Sequence, residues 1–206
     1  MPNNQFKAWL IDLDGTLYYA RPVKLMMAIE LLFAGPRVWR MISHFRRAHE
    51  EMRSRPDSAA GDSSKSLFER QLALAAERAA CDIDVARRTI SKWMFERPGK
   101  WLRLFRRRSL LEQIRRHRET GGATALVSDY PAKLKLRALG ADALFDCVVA
   151  NGESEPPVGL KPAPDGFLRA AADLSLQPSD CLVIGDRIDA DGKAAETAGM
   201  AFQHVT

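Results

Sequence analysis

The sequence predicts an α/β fold, a parallel sheet covered by helices on both faces, with an all-α insert. Two observations carry this. From residue 109 to the C-terminus short apolar runs alternate with helical periodicity, the pattern of a parallel sheet with helices on its faces. The first apolar run, residues 8–11, is separated from the next, residues 123–127, by a long stretch with helical signals and no strand signal. A chain of 206 residues suffices for one domain, or for one domain with a substantial insert.

Residues 8–11 are apolar and rich in strand formers, so they read as a buried strand. Asp12 and Asp14 follow, then Gly15 and Thr16. Side chains alternate along a strand, so Asp12 and Asp14 would share a face if the strand ran on. Two carboxylates that close stay ionised together only beside a cation; otherwise one takes a proton. Gly15 permits the turn that ends the strand at the sheet's carboxyl edge, where open α/β sheets place ligands. Alone, Asp12-Leu13-Asp14-Gly15 is also ordinary turn chemistry.

The insert opens with a predicted helix over 23–33, apolar nearly all round, which Gly35-Pro36 breaks. Pro36 can begin the next helix, to about Arg53, with Val38, Trp39, Met41, Ile42 and Phe45 at spacings of three and four. Residues 55–65 read as a loop from their Pro, Gly and Ser. Ser66-Leu67-Phe68-Glu69 has the form of a capping box and opens a third helix, to about Ala80. Asp82 or Asp84 caps a fourth, to about Glu96, ahead of Arg97-Pro98-Gly99.

The α/β pattern then resumes. Leu110, Leu111, Ile114 and His117 mark a helix that stops at Gly121-Gly122. Residues 123–127 form a strand ending in Ser128-Asp129. Pro131 starts a helix with Leu134, Leu136 and Leu139 apolar, which Gly140 stops. Residues 145–150 are a strand, 151–159 a polar loop leading to Lys161, and 164–174 a helix. Residues 181–184 are a strand ending in Gly185-Asp186; 192–198 are helical, and 201–205 an edge strand.

The formal charge of +5 suits an anionic substrate or surface and does not by itself indicate nucleic acid. Cys81, Cys147 and Cys181 form no CxxC pair and sit beside apolar residues, as expected of buried free thiols in a reducing compartment. The four histidines have no zinc-ligand spacing. The N-terminal residues lack a signal-peptide pattern, and no uncharged apolar run is long enough to span a bilayer. The expectation is a cytoplasmic protein without a transmembrane segment.

Asp12 and Asp14, Ser128, Lys161 and Asp186 all fall at strand ends or on the loops that follow, hence along one edge of a parallel sheet. Carboxylates, one hydroxyl and one ammonium suit a divalent cation with a phosphoryl group. Singly, Ser128 reads equally as a helix cap, Lys161 as a solvated lysine, and Asp186 and Asp191 as turn residues. Their coincidence at one edge favours a site.

These residues resemble the four motifs of the haloacid dehalogenase superfamily, on its phosphatase branch and similar to phosphoglycolate phosphatases. The motifs are Asp12-Leu13-Asp14-Gly15-Thr16, Ser128 after Ala125-Leu126-Val127, Lys161 in Gly159-Leu160-Lys161-Pro162, and Gly185-Asp186 followed by Asp189 and Asp191. The resemblance implies a Rossmann-like core over residues 1–17 and 106–206 and a helical cap over 18–105. It implies a Mg²⁺-dependent phosphatase acting on a small-molecule phosphate ester. Asp12 would be the nucleophile and Asp14 the acid and base. Ser128 and Lys161 would hold phosphate. Mg²⁺ would bind Asp12, the backbone carbonyl of Asp14, and Asp186. Thr16 would support the first motif, and Asp191, preferred over Asp189, would orient Lys161 or a metal-bound water. Dehalogenases of the superfamily lack the second aspartate, since halide leaves without a proton. Within the superfamily a phosphosugar mutase is the alternative. Outside catalysis, a binding protein using a basic cap is the other. Nucleic acid is not expected. A basic, aromatic surface at Trp39, Phe45 and residues 101–106 would suit an anionic membrane. The acidic loop 151–159 departs from the family's usual approach to the third motif.

Overall fold

The computed structural model describes residues 6–54 and 66–206; the loop expected over 55–65 and the N-terminal five residues lie outside it. Five strands form one all-parallel sheet in the order β3-β2-β1-β4-β5. They are β1 (Ala8–Asp12), β2 (Ala123–Ser128), β3 (Cys147–Ala150), β4 (Cys181–Gly185) and β5 (Ala201–His204). β1 is central and wholly buried, as a continuous apolar strand must be when helices cover both faces. Register sets Asp12 beside Val127 of β2, and Ile11 beside Ile184 of β4.

The strand alternation divides the core. Ala8, Leu10, Val127 and Val183 face Phe167 and Ala171 of α8 (Asp165–Asp173) and Ala194 of α9 (Lys193–Thr197). Trp9, Ile11, Leu126 and Ile184 face the other way and pack with α6 (Arg108–Glu119), α7 (Lys133–Leu139) and the insert as one cluster. His117 of α6 is buried and stacks on Trp9 at 4.2 Å.

The insert comprises α1 (Ala20–Leu32), α2 (Pro36–Ser54), α3 (Leu67–Arg78), α4 (Ile83–Ile90) and α5 (Gly99–Leu104). Its two ends lie side by side, with Tyr19 N donating to Phe105 O and Arg107 N to Leu17 O, both at 2.9 Å. Ser66 caps α3 by accepting from Glu69 N at 3.2 Å, and Asp82, rather than Asp84, caps α4. Glu69 pairs with Arg87 at 2.6 Å, tying α3 to α4.

Several expectations need correction. The fourth helix does not run unbroken to Glu96: α4 ends at Ile90 and a π-helical turn covers Ser91–Glu96. Pro98-Gly99 opens a further short helix, α5, because proline is tolerated at a helix start. Leu134 is not on the packed face of α7. The buried stripe is Ala132, Lys135, Leu136 and Leu139, one helical face, and Leu134 points outward. Of the cysteines only Cys181 is buried; Cys81 and Cys147 are half-buried, and all three are free. Phe45 is fully enclosed in the core, and Trp101 is half-buried with its indole N–H donating to Glu30 at 2.7 Å, so neither belongs to an open aromatic surface. Trp39 does remain exposed. No helix among the described residues is long and apolar enough to cross a membrane.

Candidate active site

The ends of β1, β2 and β4 converge on one ammonium. Lys161 Nζ donates to Asp12 Oδ1, to Asp191 Oδ1 at 2.8 Å and to Val127 O at 3.2 Å. All three charged groups are buried. Thr16 Oγ1 donates to the other Asp12 oxygen at 2.9 Å, so both oxygens of that carboxylate are oriented. Burial pushes the Asp12 carboxyl up, and Asp191 adds to this; Lys161 opposes it. Burial pulls Lys161 down, but the charges of Asp12, Asp191 and Asp129 more than reverse it and keep the lysine cationic.

Two glycines make this packing possible. A Cβ on Gly15, whose φ is +102°, would lie 2.0 Å from Asp186 Oδ2. One on Gly185 would lie 2.5 Å from the Asp191 carboxyl. Each glycine lets backbone approach a carboxylate where a side chain would collide.

Asp12, Asp186 and Asp191 can each bring one oxygen within 4.8 Å of the others. Asp191 is already engaged, accepting from Lys161 and, at 3.2 Å, from Arg187 N. Asp186 Oδ1 is buried with no partner among the described residues. An orphaned buried carboxylate oxygen costs several kcal/mol unless something satisfies it, and a hard divalent cation does so. The donor set therefore fits Mg²⁺. Asp189 is exposed and pairs with Arg187 at 2.7 Å and Arg53 at 2.8 Å, away from Lys161.

Asp14 lies just beyond β1, half-buried, with both oxygens 2.6 Å from Lys135 Nζ and one 2.5 Å from the Tyr18 hydroxyl. Burial opposes ionisation of Asp14, but Lys135, then Tyr18, outweigh it and hold the carboxyl below its ordinary value. Sequence reading missed Lys135 and Tyr18. Lys135 was detectable, since Ala132, Lys135, Leu136 and Leu139 share one helical stripe.

Ser128 ends β2 and is buried, but its Oγ accepts from Tyr130 N at 3.2 Å and it does not line the cavity before Asp12. Accepting that bond leaves its O–H able to donate. The acidic loop does not displace Lys161. Glu153 instead accepts from Ala132 N at 3.0 Å and Lys133 N at 3.2 Å, capping α7 from across the sheet edge. Of the many arginines in the insert, Arg46 lines the cavity, whereas Arg53, Arg78, Arg87 and Arg97 are spent on ion pairs.

A family model for haloacid dehalogenase-like hydrolases matches residues 6–199. N-acylneuraminate-9-phosphatases of rat and human are 33% and 35% identical to this chain over 66 residues, 32% of this chain and 25% of theirs. The match thus spans only a quarter of those relatives. Among solved structures, a predicted phosphoglycolate phosphatase from Haemophilus somnus has a TM-score of 0.59 at 23% identity, covering 98% of this chain and 86% of that one. The 2-haloacid dehalogenase of Pseudomonas syringae gives 0.60 at 21%, covering 96% and 85%. At these identities the structures speak for the fold alone. With the family model spanning nearly all of its length, the chain belongs to the haloacid dehalogenase-like hydrolases.

Proposed function

We propose that this protein is a Mg²⁺-dependent phosphatase that hydrolyses a phosphomonoester through an aspartyl-phosphate on Asp12. The observation that carries this is Asp14, a second carboxylate beside the Asp12–Lys161–Asp191 cluster. Halide displacement needs no proton, whereas an alkoxide leaving group does.

Asp12 attacks phosphorus, and the bond from phosphorus to the alcohol oxygen breaks as Asp14, in its acid form, gives that oxygen a proton. Asp14, now ionised, takes a proton from the water that attacks phosphorus, and the bond to Asp12 breaks. Phosphate leaves and both carboxyls are restored. Splitting the displacement replaces one hard step by two easier ones. Lys135 and Tyr18 favour the ionised form of Asp14, which the second step needs. An incoming phosphate dianion raises its proton affinity for the first. Lys161, oriented by Asp191, offsets charge on the phosphoryl oxygens. Asp12, Asp186 and the backbone carbonyl of Asp14 are the residues that would hold Mg²⁺. When bound, it neutralises charge developing on the transferring group. Residues 18–105 would serve as a cap that shuts water out.

The test is phosphate release from a panel of phosphomonoesters, with Mg²⁺ and with EDTA, wild type beside Asp12→Asn. Magnesium-dependent release that the variant lacks is expected. EDTA-insensitive release at equal rate from both proteins would overturn the reading.

A further inference from the structure

The catalytic residues open into a cavity of about 940 Å³, near the upper end for small-molecule sites. Asp12, Asp14, Lys135 and Lys161 lie at one end. The rest of the wall is mostly apolar and comes from the insert: Val23 and Met27 of α1, Trp39 and Ile42 of α2, Trp93 of the π-helical turn and Leu102 of α5. The charged residues of the insert that reach it, Lys24, Arg46 and Glu50, are themselves exposed and so belong to its rim. Polar residues line it too, but several are engaged: Tyr18 donates to Asp14, His49 faces Gln71 at 3.4 Å and Asp129 at 3.9 Å, and Arg187 pairs with Asp189. Phosphosugars and nucleotides need hydrogen-bond partners for their hydroxyls or bases, and the Val, Met, Ile, Trp and Leu of the insert wall supply few.

The apolar surface also continues out of the cavity. Leu32, which lines it, is 81% exposed, and its neighbour Phe33 is 86% exposed. Trp39, another lining residue, is 59% exposed. Leu25 and Ile29 of α1 are exposed as well. A helix apolar nearly all round would normally be largely buried; α1 buries only Val23 and Met27. A contiguous apolar patch on a soluble protein marks an interaction site.

We propose that the substrate is an amphiphile: a phosphomonoester whose alcohol is a long, apolar chain, with the phosphate at Lys161 and Asp12 and the chain along α1 and α2. This rests on the phosphatase reading and names its substrate class. A ligand with that build covers apolar wall and requires no polar partner beyond the phosphate end. Each methylene that moves from water into the cavity favours binding about fourfold.

The experiment compares ethyl, butyl, octyl and decyl phosphates, each below its critical micelle concentration, by kcat/KM for phosphate release with Mg²⁺. Binding of the matching alkyl phosphonates is read by calorimetry. We expect decyl to exceed butyl by at least about a hundredfold in both series, and to outrun glucose 6-phosphate. Ala28→Phe intrudes on the cavity from an exposed position on α1 and should cut the decyl-to-butyl ratio at least about tenfold. A ratio is independent of how much variant folds. Equal rates and affinities along the series, or preference for the sugar phosphate, would overturn the amphiphile while leaving the phosphatase standing. Tight decyl phosphonate binding with no hydrolysis of any ester would uphold the apolar site and sink the phosphatase reading.

Discussion

The two sides of the cleft are built from opposite materials. On the sheet side, Asp12, Asp191, Lys161 and Lys135 are buried charges, each held by another charge. On the insert side, the wall is Val23, Met27, Ile42, Trp93 and Leu102. Buried charges keep their place only when every partner is set, and losing one partner is costly. Apolar walls tolerate exchange at similar volume. In our reading the sheet edge therefore determines the reaction, and the insert determines what is brought to it.

The sharpest way to break this contrast is at Asp12. Asp12→Asn keeps the side-chain volume and should lower phosphate release at least about a thousandfold, with a nearly unchanged circular dichroism spectrum. Lys161→Met should cost about 3–5 kcal/mol in urea unfolding, because Asp12 and Asp191 then face each other unpaired. Adding Asp12→Asn to it should recover part of that loss, a non-additivity that no surface pair would show. Mg²⁺ at a hundred times its dissociation constant should raise unfolding stability by about 2.7 kcal/mol, and Asp186→Asn should remove most of the gain.

The smallest effect belongs to the insert. Glu30 of α1 receives Arg97 at 2.9 Å, Lys100 at 2.8 Å and the Trp101 indole at 2.7 Å. Burial would raise its carboxyl, but hydrogen bonds from Lys100, Trp101 and Arg97 hold it at about 2, against an ordinary 4.5. The unfolded chain binds the proton more readily, so this stabilisation is complete above pH 4.5 and disappears as pH falls through 2. Glu30→Gln should cost about 1 kcal/mol at neutral pH and flatten that part of the acid-unfolding curve.

The same contrast governs what was legible in the chain. Asp12, Lys161, Asp186 and Asp191 stood out because each lies at the end of an apolar strand or on the loop after it, with a glycine nearby in the chain, and a parallel sheet gathers such positions at one edge. Lys135 was hidden by its neighbours: it stands between the apolar Leu134 and Leu136, although helical spacing puts it with Leu136 and Leu139. Tyr18 joins Asp14 only through the turn after β1, which no periodicity describes. The cavity was not legible at all. The sequence shows α1 apolar on nearly every side, but which of those side chains find neighbours depends on how α2 and α5 pack.

The central claim, a covalent intermediate on Asp12 resolved by Asp14, is tested most directly by Asp14→Asn with p-nitrophenyl phosphate. Nitrophenolate leaves without a proton, so the first step should proceed and the second should stall. The account predicts a burst of one nitrophenolate per site, then near arrest, with acid-quenched protein carrying phosphate on the peptide that contains Asp12. Steady release without a burst, and no phosphate on that peptide, would contradict it.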